Sequence, residues 1–516
     1  MPLNRREFLL RTAAIAALGA CARSAFAASS PRFGTDPFTL GVASGYPHDS
    51  GVSLWTRLAP QRVTGGTPLP PVDVGWEVSA DDRWRTIVAK GTAQASAQWG
   101  HSVHVDVQGL QPARTYWYRF IAGDAVSATG RTRTAPRADA APAAMRLAFA
   151  ACQQYEQGYF TAYRHMARED LDLVVHLGDY IYESSWGRQL VRTHGSEQPQ
   201  TLDEYRDRYA LYKSDADLQA AHAAFPWIVT WDDHEVQNDY ANDRSQDLAP
   251  REVFLARRAA AYQAYYEHMP LPAWAQPRGD GMRLHGELAY GSLAKFFVLD
   301  TRQYRSHQVC PPPGRGGSTV VRAEDCPELL DPQLTMLGAQ QEAWLHDSLG
   351  RSRARWNVIA QQTLLARADR RPGPGADYWT DGWDGYPRAR ERLLASLAKQ
   401  RVSNPLVLGG DVHMSAVADL RMKFEDMVAP AIATEFVCPS ISSHGPSVKR
   451  VEALLQENPH IRFANGARRG YTTLDFTASR CTARIRAIAS ATEPDAPVRD
   501  LATYTVEDGK AGAHKV

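Results

Sequence analysis

Short apolar runs between residues 147 and 408 constrain the fold of this 516-residue chain more than any other feature. The runs cover residues 147–150, 173–177, 227–230, 296–299, 358–360 and 406–408. Runs of this length are typical of strands that are buried on both faces. Helical stretches, such as residues 160–169 and 388–399, lie between the runs. The pattern predicts that residues 145–490 form an α/β domain built of layered sheets and helices.

The region before residue 136 has a different pattern. Residues 36–136 contain short runs in which polar and apolar residues alternate, for example at 72–78 and 102–107. Several short strands at near-regular spacing predict a small all-β sandwich of immunoglobulin-like type. Residues 135–142 are rich in Ala and Pro, which indicates a linker. Residues 491–516 are expected to form a C-terminal tail.

The first 27 residues are typical of an export signal rather than of a folded segment. The pair Arg5-Arg6 precedes a weakly apolar run, and Ala25-Phe26-Ala27 matches a small-x-small cleavage site. This order predicts export by the twin-arginine machinery, to the periplasm or the medium. Cys21 follows a sequence that resembles a lipoprotein box, so a lipid-anchored N-terminus is an alternative. No later stretch has the ~18 consecutive apolar residues of a membrane helix, so no transmembrane segment is expected.

The composition is that of an ordinary globular protein, with 44% apolar residues, 22% charged residues and a formal net charge of +1. A near-neutral chain has no strong field that attracts nucleic acid, so specific nucleic-acid recognition is not expected. Exported proteins can keep disulfides. Among the six cysteines, Cys310 and Cys326 flank a Pro/Gly-rich segment, and a local disulfide between them is one expectation.

Chemically reactive side chains follow the ends of most of the apolar runs. They are Cys152; Asp179 and Tyr182; Asp232, Asp233, His234 and Asn238; Asp300; and Asp411 and His413. Because ligands bind outside the carboxyl ends of strands in α/β sheets, we expect these side chains to meet at one edge. Carboxylates that are crowded together repel one another unless cations lie between them. The set therefore predicts a two-part metal site.

The ligand types indicate which metals and which reaction this site suits. Thiolate, imidazole and phenolate groups favour a transition metal, and a trivalent ion best stabilises a phenolate. Carboxylate and amide oxygens suit Ca²⁺ or Mn²⁺. Metal pairs that lie ~3.5–4 Å apart hold phosphate oxygens and activate a hydroxide. Hydrolysis of phosphoesters is therefore the leading reaction class.

At these residues the sequence resembles the PhoD-like alkaline phosphatases and phosphodiesterases, a family grouped with the metallophosphoesterases. The matching segments are residues 151–153, 176–183, 230–235, 299–302, 383–386 and 409–413. The resemblance implies a layered, metallophosphoesterase-like β-sandwich core that is flanked by helices and preceded by a small β-sandwich. It also implies a site with Fe³⁺ and Ca²⁺, with Mn²⁺ or Zn²⁺ as alternatives, that acts on small phosphoesters.

The same resemblance implies a role for each matched residue. The implied metal ligands are Cys152 and Tyr182 for iron, Asp179 as the bridging carboxylate, Asp233 and Asn238 for calcium, and Asp411 and His413 as further ligands. His234 is similar in position to the histidine of the superfamily that lies beside the substrate phosphate. There it would stabilise charge or protonate the leaving group.

Three segments depart from the broad superfamily pattern. Cys152 stands where many members open with Asp-x-His, Asp232-Asp233-His234 replaces Gly-Asn-His, and Asp411-Val412-His413 replaces His-x-His. These departures agree with the PhoD-like branch. They leave open which ligand binds which ion.

Several of these residues also have a structural interpretation. Cys152 alone would fit a small buried hydrophobe, Tyr182 a wall of the site, and Glu235 a group that ties down the strand end. Three aspartates have open roles: Asp232 as an outer-sphere or structural group, Asp300 as a scaffold or an ion pair with Arg302, and Asp384 as an orienting or pocket-lining group.

The leading hypothesis is an exported phosphomonoesterase and phosphodiesterase that uses a metal-activated hydroxide. A phospholipase D-like phosphodiesterase that prefers phospholipid headgroups is the first alternative. A non-catalytic metal- or phosphate-binding protein is the second. A thiol hydrolase that uses Cys152 and a histidine is the third.

Overall fold

A computed structural model describes residues 32–59 and 70–516. The described strands are β1 (Val42–His48), β2 (Gly51–Arg57), β3 (Val72–Ser79), β4 (Ile87–Ala95), β5 (Ser102–Gln108), β6 (Thr115–Ala122), β7 (Ala125–Val126), β8 (Gly130–Arg133), β9 (Ala144–Ala150), β10 (Leu173–His176), β11 (Pro226–Val229), β12 (Gly286–Tyr290), β13 (Ala294–Val298), β14 (Val320–Arg322), β15 (Trp356–Ala360), β16 (Asp377–Trp379), β17 (Pro405–Gly409), β18 (Ser415–Leu420), β19 (Ala433–Val437), β20 (Ile461–Asn465), β21 (Arg469–Thr477), β22 (Arg480–Ile488), β23 (Val498–Glu507) and β24 (His514–Lys515). The described α-helices are α1 (Thr161–Met166), α2 (Leu202–Lys213), α3 (Ala216–Ala224), α4 (Arg251–His268), α5 (Gly338–Arg351), α6 (Pro387–Lys399) and α7 (Val448–Glu457).

Two large sheets face each other and form the core of the protein. The first is ten-stranded, in the order β24-β23-β22-β21-β9-β10-β11-β1-β2-β5, and the second is seven-stranded, in the order β12-β13-β15-β17-β19-β18-β20. Strands β9, β10 and β11 are mutually parallel, as are β13, β15, β17 and β19. Side chains such as Phe149, Phe296 and Leu408 fill the space between the sheets.

Helices cover the outer faces of both sheets. Alternate residues of β9 point in opposite directions: Phe149 faces the second sheet, and Ala148 packs with the cluster around α1 to α4. On the second sheet, Ile359 and Val407 pack against α5 and α6. Strands that are buried on both faces explain the continuous apolar runs of the sequence. The predicted α/β class is confirmed.

The N-terminal β-sandwich has its own core but does not stand apart. Strands β1, β2 and β5 pack against the sheet of β3, β4, β6 and β7, with β8 on the edge of β6, around residues such as Leu54 and Phe120. The first of these layers continues into the ten-stranded sheet, because β1 pairs in parallel with β11 through Ser44 and Gly45. This pairing covers two edges that would otherwise expose backbone N–H and C=O groups.

The expectation of a C-terminal tail at residues 491–516 is wrong. Strand β23 pairs with the whole length of β22, and β24 pairs with β23. The side chains of Ala502, Tyr504 and Val506 alternate into the core between the two sheets, which is the reason this segment is ordered as a strand.

Two further expectations concern the covalent structure and the membrane. Cys310 and Cys326 form a disulfide, which confirms the expected local bridge. None of the helices in residues 32–59 and 70–516 combines the length and the apolar character needed to cross a membrane. The predicted export signal, including Cys21, lies outside the described residues.

Candidate metal centre

The predicted site residues converge where the carboxyl ends of β9, β10 and β11 face the carboxyl end of β17. The N–H of Cys152 donates to the carbonyl of Gly178 (3.2 Å), which joins the ends of β9 and β10. In the loop after β19, the N–H of Ile441 donates to the carbonyl of Ala151 (3.0 Å), which links the two sheets. The sequence predicted that the side chains would meet at one sheet edge. In the structure they come from two facing sheets instead.

Two glycines allow these strand ends to approach each other. A Cβ on Gly178, where φ is +109°, would lie 2.5 Å from the backbone nitrogen of Asp232. A Cβ on Gly410 would lie 2.6 Å from the Cβ of Ala151 in the opposite sheet. Contacts this short require a residue without a side chain. The glycines directly before Asp179 and Asp411 thus bring the strand ends together.

Four of the predicted ligand residues have left-handed backbone conformations. The φ angles are +61° at Cys152, +56° at Asp179, +62° at Asp411 and +52° at His413. Residues other than glycine rarely adopt this region, and such strain is concentrated at functional sites. The turns direct side chains away from the strands and into the space between the sheets.

Cys152, Asp179, Tyr182 and His413 form one group, the thiol–phenol cluster. Ligand atoms of Cys152, Asp179 and His413 lie within 4.8 Å of one another. The Tyr182 hydroxyl donates to Oδ2 of Asp179 (2.8 Å) and lies 3.0 Å from Nε2 of His413. Nδ1 of His413 donates to the carbonyl of His444 (2.9 Å), so Nε2 is the nitrogen that faces the cluster.

Burial controls the protonation of this cluster when no cation is present. Burial, and then the charge of Asp179, raise the pKa of the Cys152 thiol and of the Tyr182 phenol well above their ordinary values. A nucleophilic cysteine needs the opposite shift, so this environment does not favour the thiol-hydrolase alternative. A bound cation would reverse both shifts.

A second group, the carboxylate cluster, consists of Asp233, Asp239 and Asp381. Their carboxylate oxygens lie within 4.8 Å of one another. Arg302 is buried beside them, with Nη2 at 2.8 Å from Oδ2 of Asp381 and 3.6 Å from Oδ2 of Asp233. Its Nε donates to Asp232. Asp232 is therefore an ion-pair partner of Arg302 in this structure.

The charge of Arg302 is shared unequally within the carboxylate cluster. Burial alone would raise the pKa of Asp233, but Arg302 and His234 hold it below its ordinary range. Burial and the neighbouring Asp381 and Asp233 raise the pKa of Asp239 to about 6. Arg302 therefore stabilises the ionised form of Asp233 more than that of Asp239.

His234 lies between the clusters and is held by a carboxylate. Its Nδ1 lies 2.6 Å from Oε2 of Glu183. Burial would lower the pKa of His234, but the charges of Glu183, Asp233 and Asp179 raise it well above its ordinary value. Glu183 has no predicted role, although the residue lies in one of the matching segments.

Glu235 holds the ends of β10 and β11 together. Its carboxylate accepts hydrogen bonds from the N–H groups of Asp179 (3.2 Å), Tyr180 (2.5 Å) and Asp232 (2.8 Å). The prediction that Glu235 ties down the strand end is confirmed.

The other candidate aspartates have distinct positions. Asp300 accepts hydrogen bonds from the backbone N–H groups of Arg302 and Gln303 (both 2.9 Å), so it is a scaffold. Asp384 forms a buried ion pair with Arg390 and lines a neighbouring cavity.

Asn238 and Asp411 line the cavity over the two clusters. The backbone N–H of Asn238 donates to Oε1 of Glu183 (2.9 Å). Within residues 32–59 and 70–516, Asp411 belongs to none of the groups of three acidic, Cys or His ligands that lie within 4.8 Å of one another.

The residues present fit bound cations. Oδ1 of Asp179, Oδ1 of Asp233 and Oδ2 of Asp411 are buried and have no hydrogen-bond partner in the described part of the chain. Buried carboxylate oxygens without partners are costly, and metal ions are the usual way to stabilise them. The clusters can therefore hold metal ions.

Facing α/β sheets with buried Asp, His and Cys clusters at their carboxyl ends are an arrangement that suits a phosphoesterase. The model of the family described as PhoD-like phosphatase matches residues 147–485, and that of the PhoD-like phosphatase N-terminal domain matches residues 21–136. The chain belongs to the PhoD-like phosphatase family, and it is a phosphoric ester hydrolase.

Two relatives show how far the similarity extends. The chain is 45% identical to alkaline phosphatase D of Bacillus subtilis (strain 168) over an alignment of length 528, which covers 99% of this chain and 89% of the relative. A solved structure titled "Structure of PhoD" superposes with a TM-score of 0.89 and 46% identity, covering 94% of this chain and 93% of that one.

Proposed function

We propose that this phosphoesterase is an exported, metal-dependent enzyme that hydrolyses phosphomonoesters and phosphodiesters. The observation that carries the proposal is the position of Asp179. It belongs to the group with Cys152 and His413 and also to the group with Asp233 and His234. One carboxylate that reaches both groups is suited to bridge two ions.

The donor types assign the ions. Cys152, Tyr182 and His413 would hold Fe³⁺, and Asp233 and Asn238 would hold Ca²⁺, with Asp179 between them. Asp411 would be a further ligand. Mn²⁺ or Zn²⁺ would also bind these oxygen and nitrogen donors, but the donors select for them less strongly. Bound ions would supply Lewis-acid polarisation of the phosphate oxygens and neutralise charge during the reaction.

The residues of the chain divide the remaining tasks. His234 borders the cavity over the clusters, and the Glu183 carboxylate, which lies 2.6 Å from its Nδ1, orients the ring. Its other nitrogen, Nε2, would donate a proton to the leaving-group oxygen or to a phosphate oxygen. Arg302 keeps Asp233 ionised and in place without occupying all of its oxygens.

The variant Asp179→Asn tests this proposal. Loss of the bridging charge should lower kcat/KM for p-nitrophenyl phosphate by at least about a hundredfold and release metal. Asp139→Asn, at an exposed ion pair with Arg137, is the matched control and should retain activity. A loss of less than about tenfold in the Asp179 variant would contradict the proposal. Rates on bis-p-nitrophenyl phosphate, measured in parallel, test the diesterase activity.

Export is a separate part of the proposal and rests on residues 1–27. A double variant, Arg5→Lys and Arg6→Lys, should leave unprocessed protein in the cytoplasm of a host with a twin-arginine pathway. Cys21→Ser should leave processing after Ala27 unchanged. Retention of the Cys21→Ser protein would instead favour the lipid-anchored alternative.

A further inference from the structure

A second cavity opens beside the metal centre and differs from it in character. The cavity over the clusters is about 520 Å³ and is bordered by charged groups such as Asp233 and His234. The neighbouring one, here called the side cavity, is about 590 Å³. Both are bordered by Trp186, Trp379, Asp411 and His413, so the two cavities adjoin each other at these residues.

The walls of the side cavity are mainly apolar. Its apolar lining includes Leu364, Ala366, Ala368, Met414, Val451 and Leu454. Trp186 stacks on the ring of His413, with ring centroids 5.9 Å apart and an interplanar angle of 2°. Trp186 therefore forms the boundary between the ligand groups and the apolar walls. A large apolar cleft with a few polar groups is typical of a site for an organic ligand.

Two arginines lie at the rim of the side cavity. Arg370 lies over the ring of Trp379 (5.0 Å), and Arg450 projects from α7 on the same side of the helix as Leu454. Both side chains are exposed. Neither forms an ion pair within 4.0 Å in residues 32–59 and 70–516. Of the two acids that line the cavity, Asp384 is paired with Arg390, and Asp411 lies at the boundary with the cavity over the clusters. The rim arginines therefore carry positive charge without a close ion-pair partner.

We propose that the side cavity binds the organic group of the phosphoester, and that it selects an apolar chain whose far end is anionic. This inference rests on the proposed function, because the phosphate must lie over the metal ligands for its organic group to reach past Trp186. Apolar walls favour burial of methylene groups, and the rim arginines favour an anion. The occupant is thus an amphiphilic phosphoester with a second negative charge.

Non-hydrolysable phosphonates test the subsite without a chemical step. The probes are ethylphosphonate, hexylphosphonate and 6-phosphonohexanoate, of which the last two have matched lengths. Their inhibition constants are measured against p-nitrophenyl phosphate, and their dissociation constants are measured by calorimetry on the full-length, metal-loaded protein. Hexylphosphonate should bind at least about tenfold more tightly than ethylphosphonate. The terminal carboxylate of 6-phosphonohexanoate should increase the affinity by about a further threefold over hexylphosphonate.

Variants test which side chains of the cavity produce each gain in affinity. The double variant Arg370→Gln and Arg450→Gln should abolish the gain from the carboxylate, and Leu454→Gln should reduce the gain from the chain. Arg388→Gln, at an exposed arginine of α6 that does not line the cavity, should leave both ratios unchanged. Because each result is a ratio within one protein, a general loss of affinity does not affect it.

The outcomes separate the two proposals. Equal constants for ethylphosphonate and hexylphosphonate, or a carboxylate gain that survives the double arginine variant, would overturn the subsite while the phosphoesterase remains. If the loaded protein hydrolyses neither p-nitrophenyl phosphate nor bis-p-nitrophenyl phosphate, the proposed function fails, and calorimetry still decides whether the side cavity prefers the longer phosphonates.

Discussion

The thiol–phenol cluster and the carboxylate cluster are equally buried but are charged in different ways. In the carboxylate cluster, Arg302 supplies a cation from within the chain and keeps Asp233 ionised. Beside the thiol–phenol cluster, Arg469 donates to the backbone carbonyls of His413 and Ser443 instead. Burial therefore keeps the Cys152 thiol protonated in the absence of a metal.

Under the proposed metal-dependent function, this difference indicates how each half of the site would depend on metal. The carboxylate half is partly organised by the fold alone, and a bound cation would complete it. The thiol–phenol half is organised in shape by its strained strand-end turns, but its thiol and phenol would ionise only when a cation binds. We therefore expect metal to affect stability in the first half and ligand protonation in the second.

The largest expected effect follows from removing the internal cation. Arg302→Gln would leave buried carboxylates unpaired and should lower the free energy of unfolding by about 3–5 kcal/mol. Added Ca²⁺ should restore part of this loss, because it can take over the charge. Denaturant unfolding with and without Ca²⁺ measures both effects.

Arg390→Gln is the matched control, since Arg390 is also buried and pairs with an aspartate, Asp384, outside the clusters. Its loss of stability should not respond to Ca²⁺. If Ca²⁺ restores neither variant, or both equally, the contrast between the two clusters is not supported.

The second effect concerns the thiol–phenol cluster alone. Cys152→Ser should remove iron while calcium remains, and should lower kcat/KM by about a hundredfold. Cys438→Ser is the control, because Cys438 is a buried free cysteine that belongs to neither cluster. Metal analysis of the two purified variants measures their iron and calcium contents. An unchanged iron content in the Cys152 variant would remove this residue from the ligand set.

The smallest effect comes from a buried carboxylate that forms no ion pair within 4.0 Å in the described part of the chain. Glu435 accepts the N–H groups of Leu365 (2.6 Å) and Ala366 (2.8 Å), and burial raises its pKa to about 7. Because this pKa is raised in the folded state, its stabilising contribution is present at acid pH and is lost as the pH rises through about 7.

The wild type should therefore lose about 2 kcal/mol between about pH 5 and about pH 8 relative to Glu435→Gln. Urea unfolding of both proteins at the two pH values measures the difference. A stability gap that does not change with pH would show that Glu435 is ionised throughout.

Much of the site was predictable because the residue pattern that marks it is local in the sequence. Asp179 and Asp411 each follow an apolar run and a glycine, and parallel strands bring such positions together. Asp381 was not predictable in this way. It lies in a loop after β16, and its partner Arg302 is 79 residues away in sequence, so only the tertiary structure brings the two together.

In the fold, too, some features follow from local sequence patterns and others do not. The buried strands of both sheets are evident as apolar runs, and the sandwich strands as alternation. The parallel pairing of β1 with β11 joins residues that are distant in sequence, and no local pattern encodes it. Strand β23 is different, because the alternation of Ala502, Tyr504 and Val506 was present in the sequence and indicates a strand.

The most direct test of the two-metal site is metal analysis of the purified protein together with its visible spectrum. We predict about one iron per chain, accompanied by calcium, and a broad tyrosinate-to-iron band that Tyr182→Phe abolishes. Two manganese or zinc ions without the band would exclude Tyr182 as a ligand and leave Cys152 without its proposed role. Active enzyme without tightly bound metal would contradict the metal-dependent mechanism itself.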